Sequence, residues 1–269
     1  MESNIKLDFK SQESRPSLEP LSERVLEHFQ FSPKRVYIYV ADREDPNLAN
    51  PNALYYAGGK HFRGVHTPPE GMHLLPEYLT DCVFRPDSEL MWLEKSPTFL
   101  EMLAFEHLIY IRKSTCADVT GFVLTLAHEL QHVNQYIKTK KLLRANSLLY
   151  HQLARQIDPA TTLTAIDIPH EREANIVSKR IAEAVCGKDA VKAFASEQIK
   201  QFVVLAKAGD SDAASEQFRW EVFQSIDTSV PFDFRAETIR LFNQYRPKIV
   251  ALDLGKHYGI DAAKEQWWV

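Results

Sequence analysis

The sequence predicts an α+β chain: a small, mostly antiparallel sheet in the N-terminal part, a helical half after it, and a metal site on two packed helices. Three observations carry this. Runs rich in β-branched and aromatic residues, such as Arg35-Val-Tyr-Ile-Tyr-Val40, stand before residue 112. Beyond residue 115 apolar residues recur almost everywhere with a helical period. Where the two regimes meet, His128-Glu129-Leu130-Gln131-His132 spells H-E-x-x-H, which on a helix sets two imidazoles about one turn apart on one face.

In chain order, residues 1–18 are rich in Ser, Glu, Lys and Pro and read as a mobile N-terminal arm. Leu21–Phe29 reads as a short helix and residues 35–40 as a strand, followed by turn chemistry from Asp42 to Asn52 with Pro46 and Pro51. A hairpin is expected between residues 55–59 and 63–66, with further strands at Asp81–Phe84 and at His107–Arg112, completing a strand-rich stretch over 35–112. The helical half, 115–269, then divides into a helix from about Thr115 to Lys138 and others over Lys141–Ile157, Pro169–Val185, Asp189–Ala208, Asp212–Ile226, Phe234–Asn243 and Lys248–Asp253. No internal repeat or low-complexity linker interrupts it.

Length and composition bound the function. With 269 residues, 45% of them hydrophobic and 25% charged, the chain can bury a sizeable core. A net charge of −4 and a pI near 6.2 with no dominant basic run argue against a nucleic-acid partner. Cys82, Cys116 and Cys186 form no C-x-x-C and leave an odd number, the pattern of buried thiols in a reducing compartment. No apolar run approaches the length of a membrane span, and the first residues lack the apolar core of a signal peptide, so a cytoplasmic location is expected.

The H-E-x-x-H segment lies in favourable surroundings. Thr115 and Asp118 fit a capping box at the helix start. Val119, Phe122, Val123, Leu126, Leu130 and Val133 form a wide apolar stripe, and Gly121, Thr125, His128, His132 and Gln135 follow one another along a narrow polar strip. His128 and His132 are therefore candidate ligands of one Zn2+, with Glu129 beside it as general base. Downstream, Pro169-His-Glu-Arg-Glu-Ala-Asn175 begins a second helix, with Pro169 suited to its first turn. Glu171, Ala174 and Asn175 share one face of it: a carboxylate to complete the zinc shell, a small residue that allows close helix approach, and an amide oxygen able to accept from a ligating imidazole. Glu173 lies about 200° round the helix from Glu171 and falls, with Val177 and Arg180, on the outer or packing face.

H-E-x-x-H followed by E-x-x-A-N resembles the gluzincin group of zinc metallopeptidases, the thermolysin-like architecture in its broad sense, over roughly residues 107–182. The resemblance implies a single zincin-like metallopeptidase domain over 19–269, His128, His132 and Glu171 as zinc ligands, and Glu129 as base and acid. It places Asn175 where that group more often has Asp, which keeps an acceptor and removes a charge. It implies a peptide or protein substrate, and a strand at 107–112 that either lies at a sheet edge and pairs with the substrate backbone or is an interior strand paired on both sides. Metzincins are excluded by Gln135 and Lys138, and zinc deaminases by the lack of P-C-x-x-C.

The chemistry expected is zinc-dependent hydrolysis of peptide bonds. Zinc lowers the pKa of a bound water to about 7, and Glu129 accepts its proton and passes it to the leaving amine. The alternatives are a non-catalytic zinc-containing binding or regulatory protein of the same fold, and a hydrolase of a non-peptide amide. Tyr136 and the His257-Tyr258 pair are candidate oxyanion donors. His61, His66 and His73 match no common metal spacing and read as surface or hairpin residues, and Trp267-Trp268 reads as a docked terminal pair.

Overall fold

The computed structural model describes residues 5–10, 13–29, 36–41, 53–57, 107–210 and 213–268. Its sheet has four strands, β1 (Ile5–Phe9), β2 (Val36–Val40), β3 (Ala53–Ala57) and β4 (His107–Ile111), in the order β1-β2-β4-β3. β1 pairs with β2 and β2 with β4 in parallel, and only β3 and β4 are antiparallel.

This corrects the expected antiparallel sheet. Between β1 and β2 runs a helix, α1 (Arg15–Leu26), and a strand that returns through a crossover helix must lie parallel to the one it left. The mobile arm is corrected with it: within residues 1–18, Ile5, Leu7 and Phe9 alternate with Lys6 and Asp8 as a strand should, and α1 starts at Arg15 with a proline in its first turn. Residues 53–57 form a strand that pairs with β4, while the other arm of the expected hairpin, the strand at 81–84 and the three histidines between 61 and 73 lie outside the described residues. β4 is held by β2 on one side and β3 on the other, so of the two readings for 107–112 it takes the interior one.

β2 is buried along its whole length, as the neighbour of two strands should be. Val36, Ile38 and Val40 turn one face to a core shared with Ile109, Ile111, Phe122, Leu126 and Leu130. On the other face Tyr37 and Tyr39 are covered by Lys6 and Lys10, each ammonium 5.4 Å from a ring centre, and the Tyr37 hydroxyl donates to Asp8. Each large apolar side chain fully buried in this way stabilises the fold by roughly 1.5–3 kcal/mol.

After β4 every described element is helical: α2 (Val119–Gln152), α3 (Pro169–Cys186), α4 (Lys188–Lys207), α5 (Ala213–Ser225), α6 (Phe234–Ala251) and α7 (Leu254–His257). Asp118, not Thr115, caps α2, its carboxylate accepting the Gly121 N–H at 2.8 Å, while residues 114–117 form a 3₁₀ turn. α2 is two helices across a kink at Thr139, where φ −147° and ψ 52° leave the helical region. The break falls between the two helices expected from the sequence. α6 instead runs on through Pro247, which has no N–H to give to Asn243, and joins two expected helices into one. Gly121 allows a close approach: a Cβ there would stand 2.8 Å from Cζ of Phe194 on α4.

A second core gathers the later half of α2, α6, α7 and the chain end, with Leu148, Leu149, Phe242, Ile249 and Trp267 inside it. Trp267 is docked, its ring 4.0 Å from that of Phe242 and its Nε1 donating to Asn243 at 3.1 Å. The crossing of α2 and α3 lies between the two cores. Among the described residues no helix is long and apolar enough to cross a membrane.

Candidate metal centre

The helical spacing of H-E-x-x-H does in three dimensions what it does on a helical projection. The Nε2 atoms of His128 and His132 are 3.0 Å apart. From the first turn of α3, Glu171 brings Oε2 to 3.3 Å from His128 Nε2 and Oε1 to 3.5 Å from His132 Nε2. All three ligand atoms lie within 4.8 Å of one another. Donors bonded at about 2.1 Å in a tetrahedral shell are separated by about 3.4 Å, so this set fits a small metal ion. Two imidazoles and one carboxylate suit several divalent transition metals. Among the described residues no other group of His, Cys, Asp or Glu converges in this way.

The site is buried enough to alter its acids. Glu129 is 9% exposed, and burial pushes its carboxyl up to about 7, with His132 opposing, the charge of Glu171 adding, and Arg219 of α5 opposing. Burial acts on Glu171 in the same direction, but His132, His128 and His170 outweigh it and hold that carboxyl well below its ordinary value. Burial lowers the pKa of His132, so its neutral, ligating form is favoured.

The neighbours of these groups are less predictable from sequence. His170, buried and one residue before the ligand, sets Nε2 3.2 Å from Glu171 Oε1, and its own Nδ1 is buried with no partner. His132 Nδ1 is 2.9 Å from Oε1 of Gln135, a residue 2% exposed. Of the outer or packing face expected for Glu173, it takes the packing one, where its Oε2 accepts from Gln131 Nε2 and from Gln135 Nε2, each at 2.8 Å. Asn175 is buried, but its side chain bonds neither imidazole and its Nδ2 has no partner. The contact expected of Asn175 is thus made for His132 by Gln135. The sequence placed Gln135 on the polar strip of α2 without giving it a role, and His170 carried no signal beyond its place beside Glu171.

Of the candidate oxyanion donors, Tyr136 packs edge-on against His107 with ring centres 5.4 Å apart, under the ammonium of Lys140. Tyr258 is buried in the second core and accepts from Gln152 at 3.1 Å. Tyr150 meets the ring of His170 edge-on at 5.7 Å, and its hydroxyl pKa is raised by burial and then by Glu171.

Compared with known proteins, the chain matches no family model, no curated protein and no solved structure.

Proposed function

We propose that this chain is a zinc-dependent hydrolase of peptide bonds, built on the gluzincin plan that its H-E-x-x-H and E-x-x-A-N segments resemble. The single observation that carries the reading is the meeting of three ligand atoms, from His128, His132 and Glu171, with a buried carboxyl from Glu129 next to them. A purely structural zinc site normally takes a fourth protein ligand and has no use for such an acid. Among the described residues, His170 turns Nε2 to Glu171 and stands outside the convergent set.

The division of labour follows from the charges. Zinc, when bound, would act as a Lewis acid that makes water a nucleophile near neutral pH. His128, His132 and Glu171 would hold it, and the strong ionisation of Glu171 supplies the negative charge such a site needs. Glu129, a buried carboxyl one residue from His128, would take a proton from water and return it to an amine leaving group. Burial of the pair Glu129 and His132 keeps bulk water from competing for that proton.

The test is metal analysis of the purified protein together with Glu129→Gln. Wild type should carry about one zinc per chain and cleave a mixed peptide library, and the variant should keep the metal and lose turnover by at least about 100-fold, the low end for a general base. Equal inertness of both proteins toward peptides, with zinc bound, would defeat the peptidase reading. Full zinc retention in both His128→Ala and His132→Ala would defeat the site itself.

A further inference from the structure

We propose that Gln135, anchored by Glu173, is a positioning residue that fixes the tautomer and aim of His132; the inference rests on the metal-centre reading above. Nδ1 of His132 faces Oε1 of Gln135 at 2.9 Å, and Nε2 of the same ring faces His128 and Glu171. A carboxamide oxygen only accepts, so the ring proton sits on Nδ1 and the lone pair is left on Nε2, where a metal needs it.

What makes this assignment firm is the other end of the amide. Gln135 Nε2 lies 2.8 Å from Oε2 of Glu173 and 2.9 Å from the main-chain oxygen of His170. A carboxylate and a carbonyl are both acceptors without a proton to offer, so the amide cannot be turned over without setting its oxygen against two others. Gln131 Nε2, also 2.8 Å from Oε2 of Glu173, supports the same carboxylate, and Asn134 Nδ2 donates back to Gln131 at 3.1 Å. With Gln135 only 2% exposed, water has little access to take over any of these bonds. The chain Glu173 to Gln135 to His132 therefore works as a carboxylate-to-imidazole link lengthened by one amide. The imidazole gains orientation from α3 although both His132 and Gln135 belong to α2.

Zinc affinity, measured by competition with a chromophoric chelator, reads the proposal directly. Gln135→Leu should weaken zinc binding by about 10- to 100-fold, the usual cost of losing such a partner. Ring nitrogen NMR of zinc-free wild type above pH 8 should find His132 protonated on Nδ1, which keeps the proposal falsifiable even where Gln135→Leu fails to fold. An Nε2-protonated ring overturns it, as does unchanged affinity in a folded Gln135→Leu. If wild type itself takes up no zinc, the metal-centre reading falls first and this one with it; if wild type binds and only the Gln135 comparison fails, the metal reading stands.

Discussion

Glu129→Gln should make the metal-free protein more stable at alkaline pH, and the size of the gain can be worked from the pocket. Burial raises the Glu129 carboxyl from an ordinary 4.5 to about 7. Between those values the folded chain keeps a proton that the unfolded chain has released, so stability is greatest below pH 4.5 and falls as pH rises through the folded pKa. Each pH unit in that window costs about 1.4 kcal/mol, for a total loss of about 3 kcal/mol by pH 8. Glutamine has the same shape and no charge to desolvate. Other groups titrate as well, so the quantity to read is the difference between variant and wild type, not either curve alone. Urea unfolding with a chelator present, at pH 4, 6 and 8, should show the two proteins close together at the acid end and separated by about 3 kcal/mol at the alkaline end. Parallel curves across the range would show that the Glu129 carboxyl is not buried in the solution fold. A wild type that gains on the variant with rising pH would refute the sign of the argument. Adding zinc should favour wild type again, because a nearby cation stabilises the ionised acid.

Two further outcomes test how the site's scaffold is held. Lys179, 9% exposed, donates from Nζ to the carbonyls of Phe223, Gln224 and Ile226 at 3.3, 2.9 and 2.7 Å, closing the C-terminal end of α5, and burial lowers its pKa. Lys179→Met should cost about 2–3 kcal/mol in urea unfolding, since it strands carbonyls that a charged donor had satisfied, and a loss under about 0.5 kcal/mol would place those carbonyls in contact with water. Gly121→Ala sets a methyl against Phe194, whose ring is backed by Trp220 at 5.5 Å, so despite better helix propensity it should lower stability by about 1 kcal/mol. Combined with Phe194→Leu it should cost less than the two single changes together, and strict additivity would refute the contact.

How much of this was legible in the sequence depends on the range of the interaction that decides each feature. His128 and His132 are neighbours because of helical geometry alone, and Glu171 reaches them because Pro169 sets the start of α3 and hence its register. Both are local matters, and a one-dimensional reading reaches them. Glu173 is different. It stands about 200° from Glu171 on the helix, yet its flexible side chain and those of Gln131 and Gln135 together close the gap to α2. A helical projection records directions and not reach. The parallel sheet was hidden for another reason: β1 is five residues long and set among Ser, Glu and Pro, so its alternation is outweighed by composition, and without β1 there is no crossover to imply a parallel pair.

The kink at Thr139 shows the same limit and explains the position of Glu171. No glycine or proline marks it; Thr139 turns its hydroxyl back to the carbonyl of Gln135 at 2.9 Å, a bond that bends helices. Either side of the bend, α2 offers one buried amide to the same residue of α3. Gln135, before the kink, donates to the carbonyl of His170 at 2.9 Å, and Asn146, after it, accepts the His170 N–H at 3.3 Å. Asn146 in turn donates to Thr238 of α6 at 2.8 Å, which carries the grip into the second core. The residue next to the proposed ligand is therefore clamped at both polar groups of its main chain, by two segments of α2 that a straight helix would set about 16 Å apart along its axis. The bend brings both amides to one place, and the polar groups it buries satisfy one another there. That is why a carboxylate on the flank of a kinked helix can be held where a metal site requires it: the distortion that breaks the regularity of α2 is what fixes the start of α3.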